Sequence, residues 1–405
     1  MTRYLLAGLW IAACAPGQAF PEAAGPDRVT AVVEISIDMV ELADPTTETF
    51  LAWQRDINAG FLLGLDGATK AFALEGPGRI LERALLFSLL TDASLIVNQA
   101  FSLTAHDSRH MEAARAIGSP SVYLVSNATG QRMGIWQFFL EAFNFTAEPA
   151  LYFWQAPASV TLADQAYVAG AGLDANLLTA VQISRSIDDG EGQVMELAPY
   201  VLNKLWGVHY FMVTGITSDA TTYMDAVAQQ GYRSVTQTNV IALNAVSGAL
   251  SGGFLALAAG TWGYVVDGST AVAPLGATLG PVRLLWPEVT PWLNADNVSV
   301  DVTMDAQWED SLTLRVGADV PALGNTGARA EVTVGARAGV RPVTVGLELT
   351  SNGNGFPFLQ ASAEAALGGR VSIGLNGFYG KGTTMREARE HPRGPGLDAY
   401  LKAAL

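Results

Sequence analysis

Two of the four histidines in the chain stand four residues apart, in the run His106-Asp107-Ser108-Arg109-His110. In a helix, side chains at positions i and i+4 project from the same face, so both imidazoles can reach one metal ion. The sequence from residue 80 to residue 117 is largely apolar and contains no proline or glycine, which predicts one long helix or two in line. We therefore predict a metal site at His106 and His110, with zinc as the metal.

The residue after the first histidine, Asp107, is a candidate catalytic base. In the motif His-Glu-x-x-His the two histidines bind zinc, and the glutamate takes a proton from the attacking water. Asp107 occupies the position of that glutamate, with a side chain one methylene shorter. A second interpretation stays open, in which the two histidines form a structural hydrogen-bonded pair without a metal.

The run from His106 to His110, in its apolar helical setting, resembles the active-site helix of intramembrane zinc metallopeptidases of the site-2 protease type. In that family a second segment with a Leu-Asp-Gly core supplies the third ligand, and Leu173-Asp174-Ala175-Asn176 resembles a degenerate version of it. The resemblance implies that Asp174 is the third zinc ligand and that Asp107 replaces the base. Both segments depart from the family pattern, with Asp in place of Glu and Ala in place of Gly.

The composition predicts contact with lipid and excludes several partners. Half of the 405 residues are apolar and 15% are charged, against about a quarter in typical soluble domains. The net charge of −15 argues against nucleic acid, because binding a phosphate backbone requires a surface of Lys and Arg. The pair Gly252-Gly253 lacks the lysine and the strand-turn-helix context of a phosphate loop, so no nucleotide site is predicted.

The N-terminus has the pattern of a bacterial export signal. Arg3 precedes an apolar run over residues 4–13, and Gly17-Gln18-Ala19 offers small residues at a cleavage site. We expect cleavage after Ala19, which makes residues 1–19 a signal peptide. The alternative is a lipoprotein acylated at Cys14, because Ile11-Ala12-Ala13-Cys14 resembles a lipobox. Both interpretations place the protein in the bacterial cell envelope, where we expect association with the inner membrane.

The middle of the chain predicts a helical domain embedded in a membrane. After an exported soluble segment at residues 20–78, residues 79–293 are strongly apolar. Within them the run from Ile241 to Val266 is uncharged, and it is long enough by itself to span a bilayer. The alternative is a large buried core of central helices in a soluble protein.

The remaining sequence predicts an antiparallel β domain at residues 294–382, because the apolar residues there alternate with polar ones. Six such runs, separated by short Gly, Asn or Pro turns, predict a meander of about six strands. Residues 383–405 form a charged tail, expected as a surface helix or a loose segment. The predicted fold class is therefore α+β, with an export signal, an apolar transmembrane helical bundle and a C-terminal meander.

These observations predict a membrane-embedded, metal-dependent hydrolase, specifically a zinc metallopeptidase-like protein acting on a protein or peptide substrate. The alternative belongs to another class, a non-catalytic scaffold or assembly protein of the envelope with a degenerate metal site. Its basis is the Asp-for-Glu change and the large exported sheet, whose exposed edge could serve for docking.

Overall fold

The computed structural model describes residues 32–36, 47–75, 78–126, 129–143, 150–212, 218–308, 311–340, 342–352, 358–367, 371–380 and 396–404. The predicted signal peptide, with Cys14 and Ala19, lies outside these residues. The predicted α+β class is confirmed, because the described chain consists of a helical part followed by antiparallel strands.

Most helices lie between residues 47 and 267. In chain order they are α1 (Thr47–Ala71), α2 (Ile80–Ala116), α3 (Ile135–Ala142), α4 (Leu162–Asp188), α5 (Leu197–Lys204), α6 (Trp206–Met212), α7 (Asp219–Gln229), α8 (Gln237–Leu250) and α9 (Gly252–Asp267). A short 3-10 helix at Val194–Glu196 precedes α5. The prediction of one long helix over residues 80–117 is confirmed by α2, which runs for 37 residues.

Helices α2 and α4 form the centre of the helical part. A capping box starts α4, because Thr161 Oγ1 accepts a hydrogen bond from the Asp164 N–H while the Asp164 carboxylate accepts one from the Thr161 N–H. The side of α4 that faces the core carries apolar residues such as Leu173 and Leu177, which are almost fully buried. Burying this face holds α4 against α2 and fixes the position of the residues that α2 presents to it.

The predicted spanning segment from Ile241 to Val266 is not the one continuous helix that the sequence suggested. It divides into α8 and α9 at Ser251, and the two helices are bent by 51°. The break is stabilised by hydrogen bonds, since the N–H of Gly252 donates to the Pro287 carbonyl and that of Gly253 to the Glu288 carboxylate. Among the described helices none is by itself long and apolar enough to cross a membrane, although this bent pair passes on length and composition.

Two sheets accompany the helices. The small sheet has the order β3-β2-β4 and consists of β2 (Val122–Ser126), β3 (Arg132–Met133) and β4 (Ala150–Trp154). The large sheet has the order β1-β14-β13-β12-β11-β10-β9-β8-β6-β5, with β7 also paired to β8. Its strands are β1 (Val32–Ser36), β5 (Gly276–Leu279), β6 (Val282–Leu285), β7 (Glu288–Leu293), β8 (Asn297–Trp308), β9 (Leu312–Gly324), β10 (Glu331–Val340), β11 (Val343–Ser351), β12 (Phe358–Ala366), β13 (Val371–Gly380) and β14 (Gly396–Ala404).

From β8 to β14 each strand pairs antiparallel with the next, as a meander does. Strands β8 to β13 confirm the six predicted runs. For residues 396–404 the expectation of a surface helix or loose tail was wrong, because they form β14 between β13 and β1, and residues 383–395 and 405 lie outside the described residues. In the sequence Leu397, Ala399, Leu401 and Ala403 alternate with other residues, and pairing along both edges stabilises this strand despite its charged surroundings.

Candidate metal centre

The two histidines lie on α2 and face α4 at Gly172. A Cβ atom at Gly172 would lie 2.2 Å from His110 Nε2 and 2.6 Å from His106 Nε2. Only a residue without a side chain can occupy this position while the imidazoles keep their places. Both histidines are buried, at 5% and 0% exposure. Gly172 therefore allows α4 to cover the histidine pair closely.

A third group, which the sequence did not indicate, completes the site. Asp219 is the first residue of α7, where Ser218 caps the helix by accepting a hydrogen bond from the Thr221 N–H. His110 Nε2 lies 3.1 Å from His106 Nε2 and 3.3 Å from Asp219 Oδ2. The three potential ligand atoms of His106, His110 and Asp219 all lie within 4.8 Å of one another.

The outer nitrogen of each imidazole meets a hydrogen-bond acceptor, which fixes the ring tautomers. His110 Nδ1 lies 2.6 Å from the carbonyl oxygen of Val168, and His106 Nδ1 lies 2.9 Å from Asn176 Oδ1. An acceptor at Nδ1 requires a proton on that nitrogen, so each imidazole in its neutral form presents a lone pair on Nε2 to the interior of the site. Metal-binding histidines in proteins characteristically use their second nitrogen in this way.

A chain of amides determines which atom of Asn176 faces His106. Asn203 Nδ2 donates to the carbonyl oxygen of Pro199, which can only accept. Asn203 Oδ1 therefore accepts from Asn176 Nδ2, leaving Asn176 Oδ1 to accept from His106. Because this chain ends on a carbonyl, the orientation of both amides follows from hydrogen bonding alone. The His106 lone pair consequently points at His110 and Asp219.

Two tyrosines hold the carboxylate of Asp219. The hydroxyl of Tyr152 donates to Oδ1 and that of Tyr210 donates to Oδ2, each over 2.7 Å. Burial raises the pKa of both phenols, and the Asp219 carboxylate raises it further, so both hydroxyls stay protonated donors. The Tyr152 ring also stacks on His110 at a centroid distance of 4.3 Å. Asp219 is thereby fixed as an ionised acceptor.

The charges of the three residues are strongly coupled. Burial lowers the pKa of His106 to about 4, and the neighbouring His110 lowers it as well. Burial also acts to lower the pKa of His110, but Asp219 outweighs it and the pKa lies above its usual value. Burial would raise the pKa of Asp219, yet His110, His106 and the Tyr210 hydroxyl together hold it well below its usual range. In the metal-free protein one proton on His110 therefore supplies the positive charge of the site.

Asp107, the predicted base, borders this group. Burial raises its pKa to about 7, Asp219 raises it further, and His110 acts to lower it. The side chain is half-buried, as is that of Asp219, whereas the two histidines are enclosed.

The spacing of the ligand atoms suits a small tetrahedral cation. Ligands about 2.0–2.1 Å from a zinc ion in tetrahedral geometry are about 3.3 Å from one another. The two separations at His110 Nε2, 3.1 and 3.3 Å, are close to that edge length. Two imidazole lone pairs and a carboxylate oxygen are ligands that zinc prefers. Three protein ligands leave a fourth position for water or substrate, as catalytic zinc sites do.

Asp174, which the resemblance implied as third ligand, is not part of this group. Its Oδ1 accepts a hydrogen bond from the backbone N–H of Leu293 over 3.0 Å. Two residues along a helix rotate the side chain by about 200°, so Asp174 points away from the face on which Gly172 meets the histidines. Asn176, four residues after Gly172, lies on that face and is the member of the Leu173 to Asn176 segment that contacts His106.

Several residues of the site carry no local sequence signal. Asp219 follows Ser218 in the ordinary pattern of a helix start, and it lies far along the chain from both histidines. Tyr152 and Tyr210 come from a strand and a short helix with no shared motif. Asn176 lies within the segment that the resemblance identified, and its polar amide in an apolar helix could have indicated a hydrogen-bond partner for a histidine.

Comparisons with known proteins leave the predicted resemblance untested. No protein-family model, no curated protein and no solved structure matches the chain. The similarity of the His106 to His110 run to intramembrane zinc metallopeptidases stays a prediction.

Proposed function

We propose that this protein is a zinc-dependent hydrolase in which His106, His110 and Asp219 hold the metal. The convergence of two imidazole lone pairs and one carboxylate oxygen, 3.1–3.3 Å apart around His110 Nε2, carries the proposal. In the metal-free protein a proton on His110 lies among these three atoms, and a metal ion can replace it. The tautomers fixed by Val168 and Asn176 prepare the site for a metal ion.

Each residue around the site has a separate role in the proposed hydrolytic reaction. A zinc ion held by His106, His110 and Asp219 would supply Lewis acidity for the activation of water. Asp107, which interacts electrostatically with His110 and Asp219, would accept the proton of the attacking water and return it to the leaving group. Tyr152 and Tyr210 hold Asp219 in its ligand orientation. The substrate class that we propose is a peptide bond, as the resemblance implies.

The metal assignment is tested by zinc content. Purified wild type is loaded with zinc, dialysed and analysed by mass spectrometry, beside His106→Ala, His110→Ala and Asp219→Ala. We expect one zinc per chain in the wild type and a loss of at least about tenfold in affinity in each variant. His209→Ala is the matched control, because His209 is exposed, contacts the Trp206 ring and is not part of the group formed by His106, His110 and Asp219. Equal substoichiometric zinc in all five proteins would exclude a metal centre.

The hydrolase assignment is tested separately with Asp107→Asn. This variant should bind zinc as the wild type does and should lose cleavage of a fluorogenic peptide library by about a hundredfold or more, because a general base contributes about 10²–10⁴-fold. Equal cleavage rates in the wild type and Asp107→Asn would remove Asp107 as the base. If the zinc-loaded wild type cleaves no peptide faster than the metal-free protein does, the hydrolase assignment is wrong. The alternative, a scaffold with a metal site, would then be the better description.

A further inference from the structure

The strands β8 to β13 have two faces of opposite character. The inner face packs toward α1 and α4, and the outer face points away from them. The outer positions are the even-numbered residues of Val300–Trp308, Leu314–Ala322 and Val332–Ala338, and the odd-numbered residues of Val343–Leu349, Leu359–Ala365 and Val371–Tyr379. None of these outer residues is buried, and most are exposed.

The outer face is apolar throughout its described positions. Each residue on it is Val, Leu, Ile, Met, Ala, Gly, Trp or Tyr. Its large side chains are exposed by around half, as at Val316 (54%), Leu347 (50%) and Tyr379 (55%). The indole N–H of Trp308 and the phenol of Tyr379 are the side-chain hydrogen-bonding groups that these positions offer.

The inner face is polar, which inverts the pattern of a sheet in water. Arg315 forms two hydrogen bonds with Asp305, at 2.7 and 2.8 Å, and lies 3.6 Å from Glu348. Thr333 and Thr350 share a hydrogen bond across neighbouring strands. A cavity of about 380 Å³, lined by such side chains, lies between this face and the helices. A sheet in water buries its apolar face and exposes its polar one.

We propose that the outer face of β8 to β13 contacts the hydrocarbon layer of a lipid bilayer. With strands about 4.8 Å apart and a rise of about 3.3 Å per residue, six strands of about nine residues cover roughly 850 Å². The largest apolar patch on a soluble monomer is usually about 300–600 Å². The outer stretch of β8 from Val300 to Trp308 is about 26 Å long, which is close to the thickness of about 30 Å of the hydrocarbon core.

A second copy of the chain, or another protein, fits this face less well. Protein interfaces are roughly 56–65% apolar and form about one hydrogen bond per 100–200 Å². The outer face offers two hydrogen-bonding side-chain groups and no charge over its described positions. A hydrocarbon layer requires neither hydrogen-bonding groups nor charges on the protein surface that contacts it. The contact proposed here is independent of the metal centre, and it lies on the sheet, whereas the sequence predicted membrane contact for the helices.

The first test places a fluorophore on the outer face of the full chain. Cys14→Ser removes the single cysteine and with it any acylation at that position, and Val334→Cys then carries the polarity-sensitive fluorophore NBD. The control is Leu140→Cys, at a leucine of α3 that is 69% exposed. In phosphatidylcholine vesicles that contain a lipid nitroxide-labelled in its acyl chain, the label at 334 should shift to the blue and lose most of its fluorescence. The label at 140 should keep its fluorescence.

The second test introduces charge on the same face. The triple variant Val316→Glu, Val334→Glu, Leu347→Glu should lower the vesicle-bound fraction by about tenfold or more, since charge is costly in hydrocarbon. Leu140→Glu should leave binding unchanged, and circular dichroism verifies that each protein is folded. An unquenched label at 334, or equal vesicle binding by the folded triple variant, overturns the proposal. So does a lipid-free dimer that shields the label at 334 from aqueous iodide, which would make the face an interface between copies.

Discussion

The helical part and the large sheet both bury polar side chains, but the two sets differ in how their hydrogen bonds are completed. In the sheet, the Arg315 guanidinium lies between the carboxylates of Asp305 and Glu348, so donors and acceptors are present together. At the metal centre His106 Nε2 and Asp219 Oδ2 are acceptors beside His110 Nε2, which carries a proton in the metal-free protein. The pair of Arg315 and Asp305 makes both of its hydrogen bonds within the protein, whereas the metal centre can exchange its proton for a cation.

This difference separates a structural polar cluster from a ligand site. A buried ion pair with its hydrogen bonds made holds strands in register, and its loss leaves an uncompensated charge. A set of buried acceptors is unfavourable until a proton or a metal ion joins it. Mutations in the sheet should therefore change the free energy of unfolding, whereas those at the histidines should change zinc affinity.

Arg315→Ala should have the largest effect on stability. It leaves the carboxylate of Asp305, 2% exposed, without its bidentate partner, and we expect a loss of roughly 3–5 kcal/mol in the free energy of unfolding. The adjacent outward change, Val316→Ala, removes exposed apolar atoms and should cost less than about 1 kcal/mol. Urea denaturation followed by circular dichroism measures both. Similar losses for the two variants would contradict the inverted polarity of the sheet.

Gly172→Ala tests whether close approach of α4 matters to the metal site. The new Cβ would lie 2.2 Å from His110 Nε2, so the imidazole must move. Overpacking of this kind costs about 1–3 kcal/mol, and we expect zinc affinity to fall by up to about a hundredfold. Gly64→Ala in α1 is the control, because nothing lies within 4 Å of its added methyl group. Isothermal titration with zinc that gives equal affinities for both variants would remove Gly172 from the site.

Zinc binding should depend on pH through a single proton. The pKa of His110 lies above its usual value of 6.5, whereas that of His106 is about 4. Between pH 4 and the raised pKa, zinc must displace one proton from His110, so the apparent affinity should fall about tenfold per pH unit as the pH is lowered. Titration in two buffers with different ionisation enthalpies counts the protons. Release of two protons near pH 6 would show that His106 is also charged.

The same pKa shift sets the stability of the metal-free protein. Because the folded pKa of His110 is raised, its contribution to stability is complete below 6.5 and is lost as the pH rises through the folded pKa. Zinc replaces that proton, so the rise in Tm on adding zinc should be larger at pH 8 than at pH 6. His110→Ala should abolish this difference, and a wild-type difference of the opposite sign would contradict the assignment.

The fold was predictable wherever the sequence period was local. Alternation of apolar and polar residues identified the six strands from β8 to β13, and the absence of Pro and Gly identified α2. The break at Ser251 was not predictable, because it depends on the Pro287 carbonyl and the Glu288 carboxylate, which approach from a later strand. Periodicity also reports only that two faces differ. It does not show which of them, apolar or polar, meets the helices.

The site was predictable only as far as one helix determines it. The spacing of His106 and His110 by itself places two imidazoles on one face. Asp219 and Tyr152 come from other elements, and nothing in their neighbourhoods distinguishes them from an ordinary helix start or an ordinary strand tyrosine. For Asp174 the sequence identified the correct helix, α4, but not the rotation of that helix about its axis relative to α2. The side chain of Asp174 points about 200° away from the face that meets the histidines, so it is a structural acceptor and not a ligand.

Asp174→Ala should therefore have the smallest effect on zinc affinity. The carboxylate accepts the Leu293 N–H at the end of β7, so its loss should leave a buried donor unsatisfied and cost about 1–3 kcal/mol in unfolding free energy. Zinc affinity should stay at the wild-type value, whereas Asp219→Ala, the matched aspartate change, should lose it. The reverse result, with zinc lost in Asp174→Ala and retained in Asp219→Ala, would return the third ligand to the segment that resembles the metallopeptidase motif. Because the two variants remove the same group from two different helices, α4 and α7, their comparison separates local sequence similarity from three-dimensional proximity.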